Sequence, residues 1–393
     1  MRKSIVLFAI AFFFSTCLFA QQPTTPQATK QAANCTQVLR LARAVYEQGR
    51  LHELQALLDD CLKGAVGSTN GFQTVQEKVD AYRLLCLAYI YLEEPAEADK
   101  AMLNLLNTDH FFELNPTDPA EFQALYGTFR TQPIFSFGAK AGPNMTFAHL
   151  TSNYYVLSKS LGHGKYTPGV SFSAAGFAEK EFFPSVKKTN PLRWTTVRAE
   201  LFFQLKSFKI KNEAASVFGS APAFVATKYE EKSTSTWLDL NFMARYQFLK
   251  DKSIWNPYIG VGPGISLLLG SKINPAKVER TRLVVDNDVA QSTLTSSSYS
   301  GASVDVVKAF NKLTQSVSAA VGVNRRVGAF YINFEARYQL GFTNSINKSD
   351  RTVTELAYDY GTTFNDFRQS SVLLMAGATV PQFKPKKKLS KRK

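Results

Sequence analysis

The feature that most constrains this chain is a change of period. From Ile134 to about residue 383 the side chains alternate with period two, where earlier they recur at about 3.6. In Tyr331–Leu340 the residues Ile332, Phe334, Ala336, Tyr338 and Leu340 form one row; Asn333, Glu335, Arg337 and Gln339 form the other. Trp237–Phe248 repeats the rule, with Leu238, Leu240, Phe242, Ala244, Tyr246 and Phe248 set against Asp239, Asn241, Met243, Arg245 and Gln247. Val197–Lys206 does so again, and softer versions begin at Phe135, Ile259 and Ser316. With Gly169–Phe182 and Gln369–Gln382 this predicts eight antiparallel strands.

Long polar segments follow the odd strands: Thr151–Thr167, Lys209–Thr234, Ser271–Leu313 and Thr343–Asp366. Short turns follow the even ones: Pro184–Pro191, Lys250–Pro257 and Arg325–Gly328. That asymmetry is the mark of an outer-membrane barrel with long outer loops and short periplasmic turns. No segment after the leader has the ~18 apolar residues of a spanning helix, so insertion in a bilayer requires a closed barrel without free edges. Alternation alone leaves the facing open, since a soluble barrel would turn its apolar row inward. The nearly charge-free apolar row favours the membrane. So do Trp194, Trp237, Trp255, Tyr258 and Phe330 near strand ends, where aromatic girdles lie. The other row then points into the lumen and carries a candidate ion-pair network of Lys140, Arg198, Glu200, Asp239, Arg245, Glu335 and Arg337. Two readings of it stand, an ion-pair plug in a narrow lumen and an ion path or catalytic cluster.

The strings FSFGAKAGPNMTF, PYIGVGPGISLLLG and FYINFEARYQLGFTN resemble the outer-membrane β-barrel family of PorT-like, OmpA-type proteins over roughly Phe135 to Phe383. The resemblance implies an eight-stranded outer-membrane barrel, and some members of the family serve secretion. Its motifs are structural and name no molecular function.

Ahead of the barrel, residues 1–20 read as a signal peptide: Arg2 and Lys3, an apolar run from Ile5 to Phe14, and Ala20 before the cut. Cys17 leaves a lipoprotein reading open, although Phe14-Ser15-Thr16 is a poor lead-in for it. Residues 33–130 predict a helical periplasmic domain. Helices are expected at Cys35–Gly49, Leu51–Lys63, Val75–Glu94, Ala96–Thr108 and Pro119–Tyr126. YEQGRLHELQALLDD and YIYLEEPAEADKAMLNLL resemble each other and tetratricopeptide repeats, with wider spacing than the usual ~34 residues. Such repeats dock partners, and a helical spacer is the plainer reading. The fold class is therefore α+β multidomain: a TPR-like helical domain followed by a transmembrane barrel at residues 134–383.

Export permits a disulfide, and a hairpin turning near Gly49-Arg50 would bring Cys35 to Cys61, leaving Cys86 as a core thiol. The net charge of +15 is partly local. Lys384–Lys393, KPKKKLSKRK, reads either as a solvated basic tail or as a contact for anionic headgroups or acidic partners, and no nucleic-acid footprint remains. The expected partners are outer-membrane lipids and a periplasmic protein bound through residues 33–130. The four histidines show no metal-ligand spacing, and the glycines of Gly260-Val261-Gly262-Pro263-Gly264 lie inside an alternating strand, so no cofactor is expected. An anchor and docking role leads. The alternatives are a narrow solute channel and a lipid- or peptide-modifying enzyme built on His149 or His163 with Ser160.

Overall fold

The computed structural model describes residues 26–154, 165–181, 195–218, 223–249, 254–283, 301–360 and 363–388. The leader, Ser160, His163, Trp194 and the Pro184–Pro191 turn lie outside the described residues. The chain divides into two units: residues 1–131 with 384–393, and residues 132–383.

The first unit is helical: α1 (Pro26–Glu47), α2 (Leu54–Lys63), α3 (Val75–Tyr91), α4 (Pro95–Thr108) and α5 (Ala120–Gly127). Helix α1 begins nine residues before Cys35, because Pro26 suits a first helical turn and the Ala, Gln and Lys residues behind it are good helix formers without an apolar period. Gly49, at φ +78°, reverses the chain after α1. Thr74 and Glu77 close a capping box on α3, with Glu77 N donating to Thr74 Oγ1 at 3.2 Å. Leu39, Ala42, Leu54, Leu58, Leu85, Met102, Leu105 and Phe122 form one buried core. A disulfide joins Cys35 of α1 to Cys61 of α2 with Cα atoms 5.8 Å apart. Cys86 is free and fully buried, and burial pushes its thiol pKa well above the ordinary range. The start of the basic tail is ordered in this unit. Phe129 and Lys387 form an antiparallel bridge, Lys388 N donates to Thr128 O at 2.7 Å, and Lys387 pairs with Asp99. Over Lys384–Lys388 the lysine side chains remain exposed while the backbone is paired: a chain with free backbone donors found carbonyls beside it.

The second unit is β-structure: β1 (Phe135–Ser152), β2 (Lys165–Glu181), β3 (Thr195–Phe218), β4 (Ala223–Gln247), β5 (Trp255–Leu283), β6 (Val304–Asp305), β7 (Leu313–Val327), β8 (Phe330–Gly341) and β9 (Asp366–Gln382). All pairings are antiparallel, and β1–β9 and β4–β5 contacts close the eight long strands into a barrel. None of the described helices is long and apolar enough to cross a membrane.

The facing is resolved by exposure. Asn333, Glu335, Arg337 and Gln339 are buried inside, while Phe334 is 52% exposed and Tyr338 43% exposed on the outside. Leu201, Phe203, Leu240, Phe242, Ile259 and Val261 share the outer surface. On β4 and just past it, the uncharged outward row from Phe248 to Leu238 covers roughly 33 Å of strand, about 25 Å along the normal at a tilt of about 40°, the height of an outer-membrane barrel's apolar band. Trp255 and Phe330 are exposed at strand ends, as a girdle requires. Trp237 and Tyr258 are not girdle residues: both are 1% exposed and point inward, Trp237 with the parity of Asp239 and Tyr258 with that of Gly260. Gly322 makes room for Tyr258, whose ring would lie 2.5 Å from a Cβ there.

The expected loop Lys209–Thr234 is largely strand, and the first part of Ser271–Leu313, to Leu283, is strand as well. The β3–β4 ladder runs unbroken from Thr195–Tyr246 to Phe218–Ala223, and β5 continues to Leu283. Thr343–Asp366 contains α6 (Thr354–Tyr360). At the other end β7 runs to Val327, so the turn is the pair Gly328-Ala329, with Gly328 at φ +58° supplying the conformation a tight hairpin needs. Likewise Trp255–Pro257 belongs to β5.

Three expectations follow. In Phe334→Arg, refolding into lipid vesicles should cost roughly 2–4 kcal/mol in a urea titration, the penalty of a cation at mid-bilayer; unchanged folding would mean that this face does not meet hydrocarbon. Under denaturing, non-reducing conditions Cys86 should be alkylated while Cys35 and Cys61 are not. Cys35→Ala with Cys61→Ala should destabilise the helical unit by about 2–4 kcal/mol in a denaturant titration.

Candidate functional site: the barrel interior

The inward row of each strand stacks into layers. The central layer is ionic. Lys140 Nζ of β1 lies 2.6 Å from Glu200 of β3 and 2.8 Å from Glu335 of β8. Arg337 contacts both carboxylates, 2.8 Å from Glu335 and closer still to Glu200. Arg198 reaches Glu200 and Glu335 at 3.5 Å, and the Tyr258 hydroxyl donates to Glu335 at 2.7 Å. These side chains are fully or almost fully buried. Charges in such a place need one another, since each alone would cost several kcal/mol in desolvation.

Toward the end that holds the barrel's termini, Glu179 of β2 binds Arg198 at 2.8 Å and also pairs with Arg245 of β4. Arg245 stacks on Tyr258 at 3.5 Å from the ring centroid and Arg198 on Phe177 at 4.0 Å. The two layers hold Lys140, Arg198, Arg245 and Arg337 against Glu179, Glu200 and Glu335, four cations less three anions, so one formal positive charge remains. Above the central layer, Gln339 Nε2 donates to Asp239 at 3.1 Å and to Ser316 Oγ at 3.0 Å, and Gln204 donates to Gln339 at 3.1 Å. Asp239 lies 3.6 Å from Lys206, which sits over the Trp237 ring at 5.1 Å.

The structure thus gathers Lys140, Arg198, Glu200, Glu335 and Arg337 in one cluster, attaches Arg245 through Glu179, and places Asp239 in a separate layer. Sequence reasoning missed Glu179, because Phe177 shares its inward row and Ala174, Gly176 and Ala178 make the outward row indistinct. The signal was its parity, which sets it directly opposite Arg198 in the β2–β3 ladder.

At the loop end the interior becomes apolar. Phe208, Ile210, Trp237, Leu268, Ile273, Val306, Phe310, Ile346, Leu356, Phe364 and Phe367 form a second buried cluster. Phe367 packs on Phe208 at 5.2 Å and on Phe310 at 6.0 Å between centroids. Phe310 bridges Ile346, so the segments following β6 and β8 cover the mouth. On β3 the reversal falls within a few residues. Leu205 points out and Gln204 in, whereas Lys209 points out and Phe208 and Ile210 in.

Of the candidate catalytic pairings, the described part is His149, whose Nε2 is 2.6 Å from Ser370 Oγ; Ser370 itself is 2% exposed. Among the described residues no group of three His, Cys, Asp or Glu could hold a metal ion.

Breaking one buried partner tests the network. Glu335→Gln should destabilise the barrel by about 3–5 kcal/mol, because Lys140, Arg337 and Arg198 lose a shared carboxylate. Adding Lys140→Met should cost less than the sum of the two single changes, and strict additivity in the unfolding titration would mean the pair is not coupled.

The model of a family described as "outer membrane protein beta-barrel domain" matches residues 131–347. No curated protein matches the sequence. Among solved structures, the chain is similar to Neisserial surface protein A (NspA), at 15% identity and TM-score 0.26, over 63% of this chain and 96% of that one. It is also similar to Ail, the attachment invasion locus protein of Yersinia pestis, at 10% identity and TM-score 0.20, over 63% of this chain and 99% of that one. A third similarity is to the translocator domain of the autotransporter NalP from Neisseria meningitidis, at 9% identity and TM-score 0.21, over 63% of this chain and 88% of that one. With a charged interior, an apolar exterior and a family match over more than half its length, the chain belongs to the outer membrane protein β-barrel domain family.

Proposed function

We propose that the protein is a non-conducting outer-membrane anchor whose helical unit docks a partner protein in the periplasm, in the service of secretion or envelope assembly. The observation that carries this reading is the filled interior: two ionic layers, a glutamine layer and an apolar cluster occupy the inward rows. An eight-stranded lumen is only wide enough for side chains, so such a filling weighs against an aqueous path. The buried Ser370 hydroxyl weighs against the enzyme reading, since a nucleophile must be reached by its substrate.

Orientation is part of the proposal. Phe135 pairs with Gln382, so both barrel termini leave from the end that carries the tight Gly328-Ala329 turn. In this architecture short turns face the periplasm, which assigns the helical unit and the basic tail to that side. Each of the segments Pro26–Lys63 and Val75–Thr108 holds two α-helices in succession, which supports the repeat-like reading of their sequences. Leu41 is 52% exposed and Tyr91 54% exposed, apolar surface that a docked protein would cover.

The full-length protein in planar bilayers should give no large steady conductance; a stable open level would overturn the plug. A photo-cross-linking residue at position 41 or 91 of the full chain, in intact envelopes, should yield a discrete protein adduct that a probe at lipid-facing position 240 does not. Equal labelling at all three positions would remove the docking role.

A further inference from the structure

We propose that Lys165, Lys209, Lys211, Lys232 and Lys272 form a ledge on the outer wall of the barrel that holds phosphate groups of anionic lipids in the leaflet at the loop end. All five are exposed. They come from β2, β3, β4 and β5, which are neighbours in the sheet. Lys165 stands directly opposite Lys211, and Lys209 directly opposite Lys232. Lys272 stands opposite Thr234, two residues along β4 from Lys232 and so diagonal to it. Facing cross-strand residues have Cβ atoms about 5 Å apart and diagonal ones about 7–8 Å.

Like charges set opposite each other in this way repel and weaken the ladder. Among the described residues Lys211 has a carboxylate partner in Glu230, and no ion pair is formed by Lys165, Lys209, Lys232 or Lys272. A polyvalent anion seated between the opposed lysines turns that repulsion into attraction.

The height of the ledge selects the anion. On β3 the outward row reads Leu205, Ser207, Lys209, Lys211; on β4 it reads Leu238, Thr236, Thr234, Lys232. The lysines therefore begin two or three outward positions above the last apolar side chain, with one or two hydroxyl residues between. That is where headgroup phosphates lie against a spanning barrel, and lysine stems reach the interface readily. A soluble acidic partner would have no reason to be recognised at this level.

The test uses the full chain refolded into phosphatidylcholine vesicles carrying spin-labelled phosphatidic acid or spin-labelled phosphatidylcholine. The motionally restricted fraction of each gives relative affinity for the barrel surface. The wild type should prefer phosphatidic acid, and high salt should erase the preference. The variant Lys165→Gln, Lys209→Gln, Lys232→Gln, Lys272→Gln should lose at least about fivefold of it, the size of one lysine contact at an anionic surface. The variant Arg325→Gln, Arg326→Gln, altered at the opposite end, should retain it. If the quadruple variant does not fold, Lys209→Gln and Lys232→Gln, each removing one member of an opposed pair, should each lower the preference. An unchanged preference in the lysine variants would overturn the proposal. So would its abolition by inorganic phosphate, which would make this a free-anion site.

Discussion

The interior and exterior of this barrel are organised by one solvent constraint. Across the band from Phe248 to Leu238 the surroundings are hydrocarbon, so backbone groups must be paired within the sheet and side chains on the outside must be apolar. The β1–β9 and β4–β5 ladders remove the edges that would otherwise strand donors and acceptors in lipid. Because the outer wall must be greasy, the strands spend their polar alternate positions inside, where Glu335, Lys140 and Arg337 meet. Beyond the band the surroundings are water and the rule reverses: Phe208, Trp237 and Phe367 turn inward as an ordinary apolar core while lysines turn outward. One continuous β3 strand serves both regimes and keeps its register with β4 throughout.

This reversal explains what could and could not be read from the sequence. The eight strands were legible, since Ile332–Leu340 or Leu238–Phe248 has no other economical fold. The strand extensions were not, because the apolar phase inverts along them. Past Ser207 the alternation persists in Phe208, Lys209, Ile210 and Lys211, yet the apolar residues occupy the positions that lower down are polar. Read with a fixed phase, the pattern dissolves into a polar loop; with the phase allowed to invert, it continues and marks the membrane boundary. Trp237 and Tyr258 were misplaced for the converse reason. Residue type suggested a girdle, but their parity with Asp239 and Gly260 had already assigned them inward. In the helical unit the apolar faces and the Cys35–Cys61 proximity followed from spacing, whereas the polar first turns of α1 carried no period to read.

A network of buried ions is weak evidence for stability, since well-packed apolar residues can replace one at no loss. Its value here is in what it specifies. A one-residue slip between β2 and β3 would move Glu179 from the lumen into lipid and leave Arg198 and Arg245 without their shared partner. The same slip would carry Phe172 of β2 from the outer face inward. Register errors therefore incur a charge penalty and an apolar penalty together, and the closed barrel has one arrangement that avoids both.

The positive excess of the chain is best understood by location. In the lumen cations outnumber carboxylates by one across two layers, so that region is close to neutral and contributes little to any external field. In the tail seven cations fall in ten residues, but Lys387 is already paired with Asp99 and the backbone around it is bonded to Thr128 and Arg130. The lysines of β2–β5 differ from both. Four of the five lack a counter-ion in the described structure, and their neighbours across the ladder include one another. Net charge alone would have suggested a broad attraction for polyanions. The placement argues for something narrower: cations confined to one height on one wall, immediately past the point where the outer surface ceases to be apolar.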